Sequence, residues 1–281
     1  DLDFDYPPPV NPKFSYADPD FVLFGKGGLL VLENKLNQDG QRIVEKASAG
    51  DLNQLQDVTA AVLSDVDHDM DLDLVVGAAG EIKLFLSRGN LSFFDFSQFS
   101  QFPSDQVATS LEMVDFDRDI DIDLIVGFKD RKPGYLENLG HAKLRFREFD
   151  SSFSDLAPCK AIKANEMDGQ MSWDLTALQG SELINRTTLT NQGSVRQKSV
   201  GNVTVSAGQR FCQADFNNDG FLDTLIYRPP NRDDDFSGRS LALGNRSTRP
   251  VVSKGPEMVI DDCDFDDLDA DGKIDLVVIS G

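Results

Sequence analysis

DVDHDMDLDLVVG, the stretch from Asp65 to Gly77, decides how this chain folds. Aspartates stand at positions 1, 3, 5 and 9 of a short loop, and an apolar run follows directly. The pattern returns as DFDRDIDIDLIVG over Asp115–Gly127, DFNNDGFLD over Asp215–Asp223 and DLDADGKID over Asp267–Asp275. Carboxylates with this spacing point inward when a short segment curls around a cation.

The ligand chemistry of these loops predicts calcium. Ca²⁺ accepts roughly six to eight oxygen ligands at loose geometry, whereas Mg²⁺ demands a tighter octahedron and keeps its waters. Zinc and copper favour imidazole and thiolate, which the loops do not supply. A helix–loop–helix calcium site needs a glutamate at loop position 12, where this chain has Val76, Val126, Ile226 and Val278. The alternative interpretation is that the acids are solvent-exposed surface residues that bind no metal, and their constant spacing argues against it.

The four loops differ at position 6. Gly220 and Gly272 stand there in the later copies, but Met70 and Ile120 in the earlier ones. A sharp turn at this position is easiest for glycine, because a positive φ strains any residue with a Cβ atom. We therefore expect the first two loops either to bend differently or to bind more weakly.

An aspartate precedes the apolar run of every copy, and degenerate copies extend the series to six. The aspartates of the series are Asp20, Asp73, Asp123, Asp174, Asp223 and Asp275. Their successive spacings are 53, 50, 51, 49 and 52 residues. Such regularity indicates six copies of one supersecondary unit.

Each unit is predicted to contain four short strands. The first clear unit has strands at 58–63, 72–78, 82–86 and 93–96, and the second at 107–114, 124–128, 134–136 and 144–149. A short turn is expected near 97–104. Four strands in each unit are typical of a propeller blade. The predicted fold class is all-β, a β-propeller of about six or seven four-stranded blades, with an extended arm over 1–13 and a single propeller domain over 14–281.

The acidic signature resembles the FG-GAP/VCBS repeat of integrin-α-type β-propellers over residues 14–281. The resemblance implies about four Ca²⁺ ions, each in the loop that joins the first and second strands of a blade. The ligands implied are Asp65, Asp67, Asp69, Asp73, Asp115, Asp117, Asp119, Asp123, Asp215, Asn217, Asp219, Asp223, Asp267, Asp269, Asp271 and Asp275. Integrin-like members usually have seven blades. Because the last unit stops before its outer hairpin, we expect either an N-terminal segment that completes it or, by preference, a chain that is a fragment.

Charge restricts the class of partner. The chain has 27 basic and 48 acidic residues and a formal net charge of −21. This charge disfavours nucleic acid and anionic membrane surfaces. No apolar run reaches the length of a membrane span. Crowded carboxylates repel one another without metal, so calcium is expected to contribute directly to folding.

Glycosylation sequons favour a secreted or lumenal glycoprotein. They begin at Asn90, Asn185, Asn202 and Asn245, each in a polar stretch interpreted as a turn. Calcium loops of this acidity also fit an extracellular or lumenal space.

The chain has three cysteines, Cys159, Cys212 and Cys263. A bridge between Cys212 and Cys263 would join neighbouring blades, but equivalent atoms on adjacent inner strands are expected to lie too far apart for a disulfide. Buried thiols are the favoured interpretation.

The sequence shows no catalytic signature. His68 and His141 are interpreted as exposed loop residues, and motifs for a nucleophile elbow, a zincin or a phosphate loop are absent. The leading hypothesis is a non-enzymatic, calcium-stabilised extracellular or lumenal module for binding or cell adhesion, which presents a propeller face to a protein or glycan. The alternatives are a carbohydrate-binding lectin, an accessory subunit of a larger complex, and the non-catalytic domain of a hydrolase or lyase.

Overall fold

The computed structural model describes residues 20–36, 42–149, 153, 155–165, 173–191, 194–204, 210–215, 222–227, 240–243, 251–254, 262–266 and 274–279. These residues form strands and two short 3-10 helices, Gly50–Gln54 and Ser97–Phe99, and they include no α-helix. The predicted arm over 1–13 lies outside them. Within the same ranges, no helix has the length and apolar character needed to cross a membrane.

The first eleven strands build three antiparallel sheets in which chain neighbours pair. Sheet 1 contains β1 (Phe21–Gly25), β2 (Gly28–Leu36) and β3 (Arg42–Lys46). Sheet 2 contains β4 (Val58–Ser64), β5 (Asp73–Ala78), β6 (Glu81–Ser87) and β7 (Phe93–Asp95). Sheet 3 contains β8 (Ala108–Val114), β9 (Asp123–Phe128), β10 (Gly134–Asn138) and β11 (Leu144–Glu148).

Three further sheets follow with the same order of strands. Sheet 4 contains β12 (Ala161–Asn165), β13 (Asp174–Gln179), β14 (Glu182–Asn191) and β15 (Ser194–Thr204). Sheet 5 contains β16 (Arg210–Ala214), β17 (Asp223–Tyr227), β18 (Ser240–Leu243) and β19 (Val251–Lys254). Sheet 6 contains β20 (Asp262–Asp266) and β21 (Asp275–Ile279).

The strand prediction is confirmed in both clear repeats, where every predicted strand overlaps one strand of sheet 2 or sheet 3. The series of aspartates also marks real boundaries, because β5, β9, β13, β17 and β21 each begin at one of its members. The turn expected near 97–104 contains the 3-10 helix Ser97–Phe99. One interpretation was wrong: Asn185 and Asn202 lie in β14 and β15 rather than in turns.

The chain divides into two compact units, one of Asp1–Asp150 with Ser154–Ile162, the other of Ser151–Phe153 with Lys163–Gly281. In the first unit β5 is buried along its whole length. Leu74 packs in an apolar cluster with Val31 of sheet 1, while Val75 packs with Leu124 of sheet 3. Because both faces of the strand are covered, it needs a continuous apolar run rather than alternation.

A repeated threonine bulge in the first unit connects each of sheets 2 and 3 to the segment that follows it in the next repeat. The β4–β5 register shifts between Val58 and Ala60, and the β8–β9 register shifts between Ala108 and Ser110. Thr59 donates from Oγ1 to the carbonyl of Ala108 at 2.6 Å. Thr109 donates in the same way to the carbonyl of Cys159 at 2.7 Å. Each bulge therefore aims its extra side chain at the segment that begins the next repeat.

The glycine that ends the acidic signature makes room for this contact. A Cβ atom at Gly77 would lie 2.8 Å from the Cβ of Ala108 and 3.3 Å from Oγ1 of Thr59. At Gly127 it would lie 3.0 Å from the Cys159 sulfur. Close approach of neighbouring sheets, rather than an unusual φ, is thus the physical reason for glycine here.

Substitution Gly77→Ala is expected to destabilise the fold by about 1–3 kcal/mol, because the added methyl overpacks a buried contact. The matched control is Gly25→Ala in β1, where nothing lies within 4 Å of the added Cβ. That control should stay within about 0.5 kcal/mol of the parent. Chemical denaturation measures both changes, and equal losses in the two variants would show that packing against Ala108 is not the cause.

The cysteines divide into two environments. Cys159 is buried and outside any disulfide, as predicted, and burial raises the pKa of its thiol to about 12. The expected separation of Cys212 and Cys263 was wrong, since their sulfur atoms lie 2.7 Å apart. The prediction placed the two residues at equivalent positions, and the strand registers show that they are not equivalent. Cys212 pairs with Leu225, two residues after Asp223, whereas Cys263 pairs with Val278, three residues after Asp275.

Candidate metal centres in the acidic loops

Two acidic loops lie fully within the described residues. Loop 1 (residues 65–73) runs from the end of β4 to the first residue of β5, and loop 2 (residues 115–123) runs from the end of β8 to the first residue of β9. In each repeat the acids at loop positions 1, 3 and 9 converge, with one carboxylate oxygen from each within 4.8 Å of the others. These two carboxylate clusters are Asp65, Asp67 and Asp73 in loop 1, and Asp115, Asp117 and Asp123 in loop 2.

The last acid of the first cluster, Asp73, also accepts hydrogen bonds from backbone amides. Asp73 is 1% exposed. Its Oδ2 accepts a hydrogen bond from the Val66 amide at 3.0 Å, and its Oδ1 accepts one from the Ser87 amide at 2.8 Å. The carboxylate therefore ties the start of loop 1 to the end of β6. Burial raises the pKa of Asp73 to about 7, although the two amide donors act in the opposite direction.

Asp123 repeats this arrangement in loop 2. Its Oδ2 accepts from the Phe116 amide at 3.1 Å, and its Oδ1 accepts from the Asn138 amide at 2.8 Å. Burial raises the pKa of Asp123 to about 6. The same pair of contacts, at the same loop positions, thus occurs in both repeats.

Sequence reasoning missed this backbone role, although a signal for it was present. Asp20 keeps the place of Asp73 in a repeat that has lost the acidic loop, and Asp174 keeps it in a repeat whose loop is degenerate. In sheet 1 Asp20 Oδ1 accepts from the Asn34 amide at 2.9 Å, which reproduces the contact of Asp73 with Ser87. An acid that persists where its neighbours have decayed indicates a structural task beyond metal binding.

The first acid of each loop organises the turn. Asp65 accepts hydrogen bonds from the amides of Asp69 and Met70, both at 3.1 Å. Asp115 accepts from the amide of Ile120 at 3.3 Å. These bonds curl the loop around the carboxylates, and they form between groups four and five residues apart.

The acids at position 5 are placed differently. Asp69 and Asp119 stand outside the two carboxylate clusters. Each accepts a hydrogen bond at Oδ1 from the amide two residues later, Asp71 and Asp121 respectively, at 3.0 Å. The structure thus brings three of the four acids named for each loop into one group.

The electrostatics of the clusters favour a cation. Burial, followed by repulsion from Asp69, raises the pKa of Asp67, and burial followed by repulsion from Asp119 raises that of Asp117. Oδ1 of Asp67 is buried and accepts no hydrogen bond. A buried carboxylate oxygen without a donor is costly unless a proton or a cation compensates it. The residues present therefore fit a hard divalent ion.

The backbone at position 6 is left-handed in the first two loops, and the comparison with the Gly-bearing loops stays a prediction because Gly220 and Gly272 lie outside the described residues. Met70 and Ile120 have φ of 76° and 86°, and His68 and Arg118 at position 4 have φ of 62° and 67°. The first two loops therefore make a left-handed bend at position 6 without the help of glycine. A β-branched residue in this region is strained, and the side chain of Ile120 gains no packing in return, since it is 80% exposed.

Replacing Ile120 with glycine is expected to stabilise the protein relative to Ile120→Ala by about 1 kcal/mol, because only the glycine relieves the left-handed strain. The alanine variant is the matched control, since it also removes the exposed apolar surface but keeps Cβ. Thermal unfolding with and without calcium measures the difference. A glycine variant less stable than the alanine variant would mean that the bend carries no strain.

Loops 1 and 2 touch each other. His68 Nε2 of loop 1 lies 3.1 Å from Asp121 Oδ1 of loop 2. Asn138, whose amide binds Asp123, also donates from Nδ2 to the Val66 carbonyl at 2.8 Å. The two carboxylate clusters are therefore joined by side chains that contact both loops.

The later predicted sites are only partly described. Asp223 is buried at the start of β17, and Asp215 follows β16. Asp275 begins β21. The remaining predicted ligands, which lie outside the described residues, are Asn217, Asp219, Asp267, Asp269 and Asp271.

Comparison with known proteins supports the repeat and the fold. Residues 65–126, from loop 1 into β9, match the FG-GAP-like repeat family. A lectin of Agrocybe aegerita, described as recognising non-reducing terminal N-acetylglucosamine, aligns with a TM-score of 0.51 at 14% identity over 92% of this chain and 70% of its own. BBS1N in complex with ARL6DN aligns with a TM-score of 0.49 at 12% identity over 94% of this chain and 89% of its own. No curated protein matches in sequence. The chain is an all-β protein of the β-propeller class, as its sequence predicts.

Proposed function

We propose that this protein is a non-enzymatic binding module whose acidic loops are held in shape by calcium. The observation that carries the proposal is the convergence of three acids in each of loops 1 and 2, within 4.8 Å in both cases. Family likeness supports it, because the match to the FG-GAP-like repeat spans both of these loops.

The ligands in loop 1 would be Asp65, Asp67 and Asp73, and those in loop 2 Asp115, Asp117 and Asp123. Calcium supplies positive charge where several carboxylates meet. Asp67 Oδ1, which lacks a hydrogen-bond donor, would gain its missing partner. By the same likeness the Gly-bearing loops over 215–223 and 267–275 would bring the total to about four ions.

Calcium affinity should depend on pH because the ligands must be ionised. Burial raises the pKa of Asp73 to about 7 and that of Asp123 to about 6. A raised carboxyl pKa means that the folded metal-free protein holds protons that the unfolded chain releases. In chelator, the contribution of these two groups to stability is therefore complete below the ordinary carboxyl pKa of 3.8 and is lost as pH rises to about 7, whereas a bound cation favours the ionised form.

A calcium titration of thermal stability tests the metal. At a free concentration one hundred times Kd, one site contributes about 2.7 kcal/mol, which for a chain of this size corresponds to a rise in Tm of about 5–10 °C. Magnesium should raise Tm much less. Asp67→Asn should lose much of the calcium-dependent rise, and Asp71→Asn, which removes the same charge from the same loop outside the carboxylate cluster, should keep it.

Two outcomes would contradict the calcium hypothesis. The first is a melting temperature that chelator leaves unchanged, and the second is the absence of calcium from the dialysed protein in elemental analysis. Equal effects of Asp67→Asn and Asp71→Asn would show a response to general charge rather than to a defined site.

The proposed binding role rests on the placement of loops 1 and 2 and on the charge of the protein. Loops 1 and 2 extend from the same end of sheets 2 and 3 and are joined through His68 and Asn138. Loops set on a rigid sheet scaffold are well suited to recognition. Because a net charge of −21 disfavours nucleic acid and anionic membrane surfaces, we propose a protein or glycan partner, alone or within a larger complex. The sequons and the acidity of the calcium loops favour an extracellular or lumenal location.

Glycan recognition is the second candidate, and its support is the likeness to the Agrocybe aegerita lectin. A glycan array probed in calcium and in chelator separates the candidates. If the partner is a protein, no glycan on the array should bind, and calcium-dependent capture should retain a defined protein. Calcium-dependent binding to glycans that end in N-acetylglucosamine would instead favour the lectin.

A further inference from the structure

Two cysteines meet between the first strands of sheets 5 and 6 in the second unit. Sγ of Cys212, in β16, lies 2.7 Å from Sγ of Cys263, in β20. Carbon atoms, which are smaller than sulfur, rest about 3.5–4.0 Å apart when they are not bonded. The two sulfur atoms are therefore closer than unbonded atoms ordinarily remain, although the structure does not join them in a disulfide.

Strand register explains why these sulfur atoms face each other. Cys212 pairs with the residue two after Asp223, and Cys263 with the residue three after Asp275. Successive side chains of a strand point to opposite faces of its sheet. The offset of one position therefore puts the two cysteines on opposite faces of consecutive sheets, where side chains can meet between the sheets.

The surroundings of the pair suit a structural bridge. Cys212 is 6% exposed and packs with Leu225 and Tyr227, while Cys263 and Phe265 lie against this cluster and are less deeply buried. Cys263 is thus the more exposed residue of the pair, and Cys212 the more deeply buried one. Cys159 belongs to the other compact unit and is deeply buried.

We propose that Cys212 and Cys263 form a disulfide that links sheet 5 to sheet 6. In the first step the thiolate of Cys263 attacks a sulfur of an external disulfide such as oxidised glutathione, which forms a mixed disulfide and releases one glutathione thiolate. The thiolate of Cys212 then attacks the Cys263 sulfur and releases the second glutathione. The two cysteines lose two protons and two electrons, and the external disulfide is reduced to two thiols.

This bond closes a loop between residues 51 apart in the chain. A cross-link of this span restricts the unfolded ensemble, and with the usual contribution of a disulfide it should raise Tm by about 5–15 °C. The proposal does not rest on calcium, because the bond should form in the presence of chelator as well.

The test uses the whole chain, purified under reducing conditions and then equilibrated with oxidised glutathione in chelator. Thiol titration in denaturant should fall from three groups to one, the intact mass should drop by that of two hydrogens, and digestion without reductant should yield one peptide pair joined through Cys212 and Cys263. Tm should rise on oxidation and return on reduction.

Three variants define the specificity of the bond. Cys212→Ala and Cys263→Ala should each abolish the oxidation-dependent rise in Tm, and Cys159→Ala should retain it. Peptide mapping of the parent chain does not depend on how well the variants fold. Three titratable thiols after oxidation, or a mapped bond that involves Cys159, would overturn the proposal.

Discussion

A buried aspartate whose two carboxylate oxygens accept backbone amides is the interaction on which sheets 2 and 3 depend. In sheet 2 Asp73 binds the amides of Val66 and Ser87, and thereby joins the acidic loop to the third strand. Asp123 does the same in sheet 3. Amides at strand ends cannot be left unpaired in a buried place without a large penalty. This explains why the aspartate remains, as Asp20 and Asp174, in repeats whose acidic signature is degenerate.

The same carboxylate belongs to a cluster of like charges, and these two roles compete. Burial raises the pKa of Asp73 to about 7, so the metal-free fold holds a proton where a cation would hold the carboxylate ionised. The loop reaches its turn through left-handed residues that are not glycine. In our proposal an ion would therefore compensate for both repulsion and backbone strain. Calcium in such a loop would act on stability rather than on chemistry.

Strand positions and repeat boundaries could be predicted because they depend on local pattern. Apolar runs such as 74–76 are continuous, since neighbouring sheets cover both faces of the strand. β5 and β9 begin at aspartates of the series, one residue from the predicted starts at 72 and 124. The contact between Cys212 and Cys263 could not be predicted in this way. It depends on a one-residue difference in strand register, which the near-constant spacing of the cysteines conceals. The backbone partners of Asp73 likewise required the sheet geometry, since Ser87 lies 14 residues away.

If both loops bind ions as we propose, the contact of His68 with Asp121 and the hydrogen bond from Asn138 to Val66 would couple the order of one loop to that of the other. Ordering one loop lowers the entropy that remains to be lost by its neighbour, and such linkage is reciprocal. Sites joined in this way fill over a narrower range of ligand activity than independent ones. The surface formed by loops 1 and 2 would then become ordered in one step as both sites fill. A partner would encounter mainly the fully ordered or the fully disordered form of this surface.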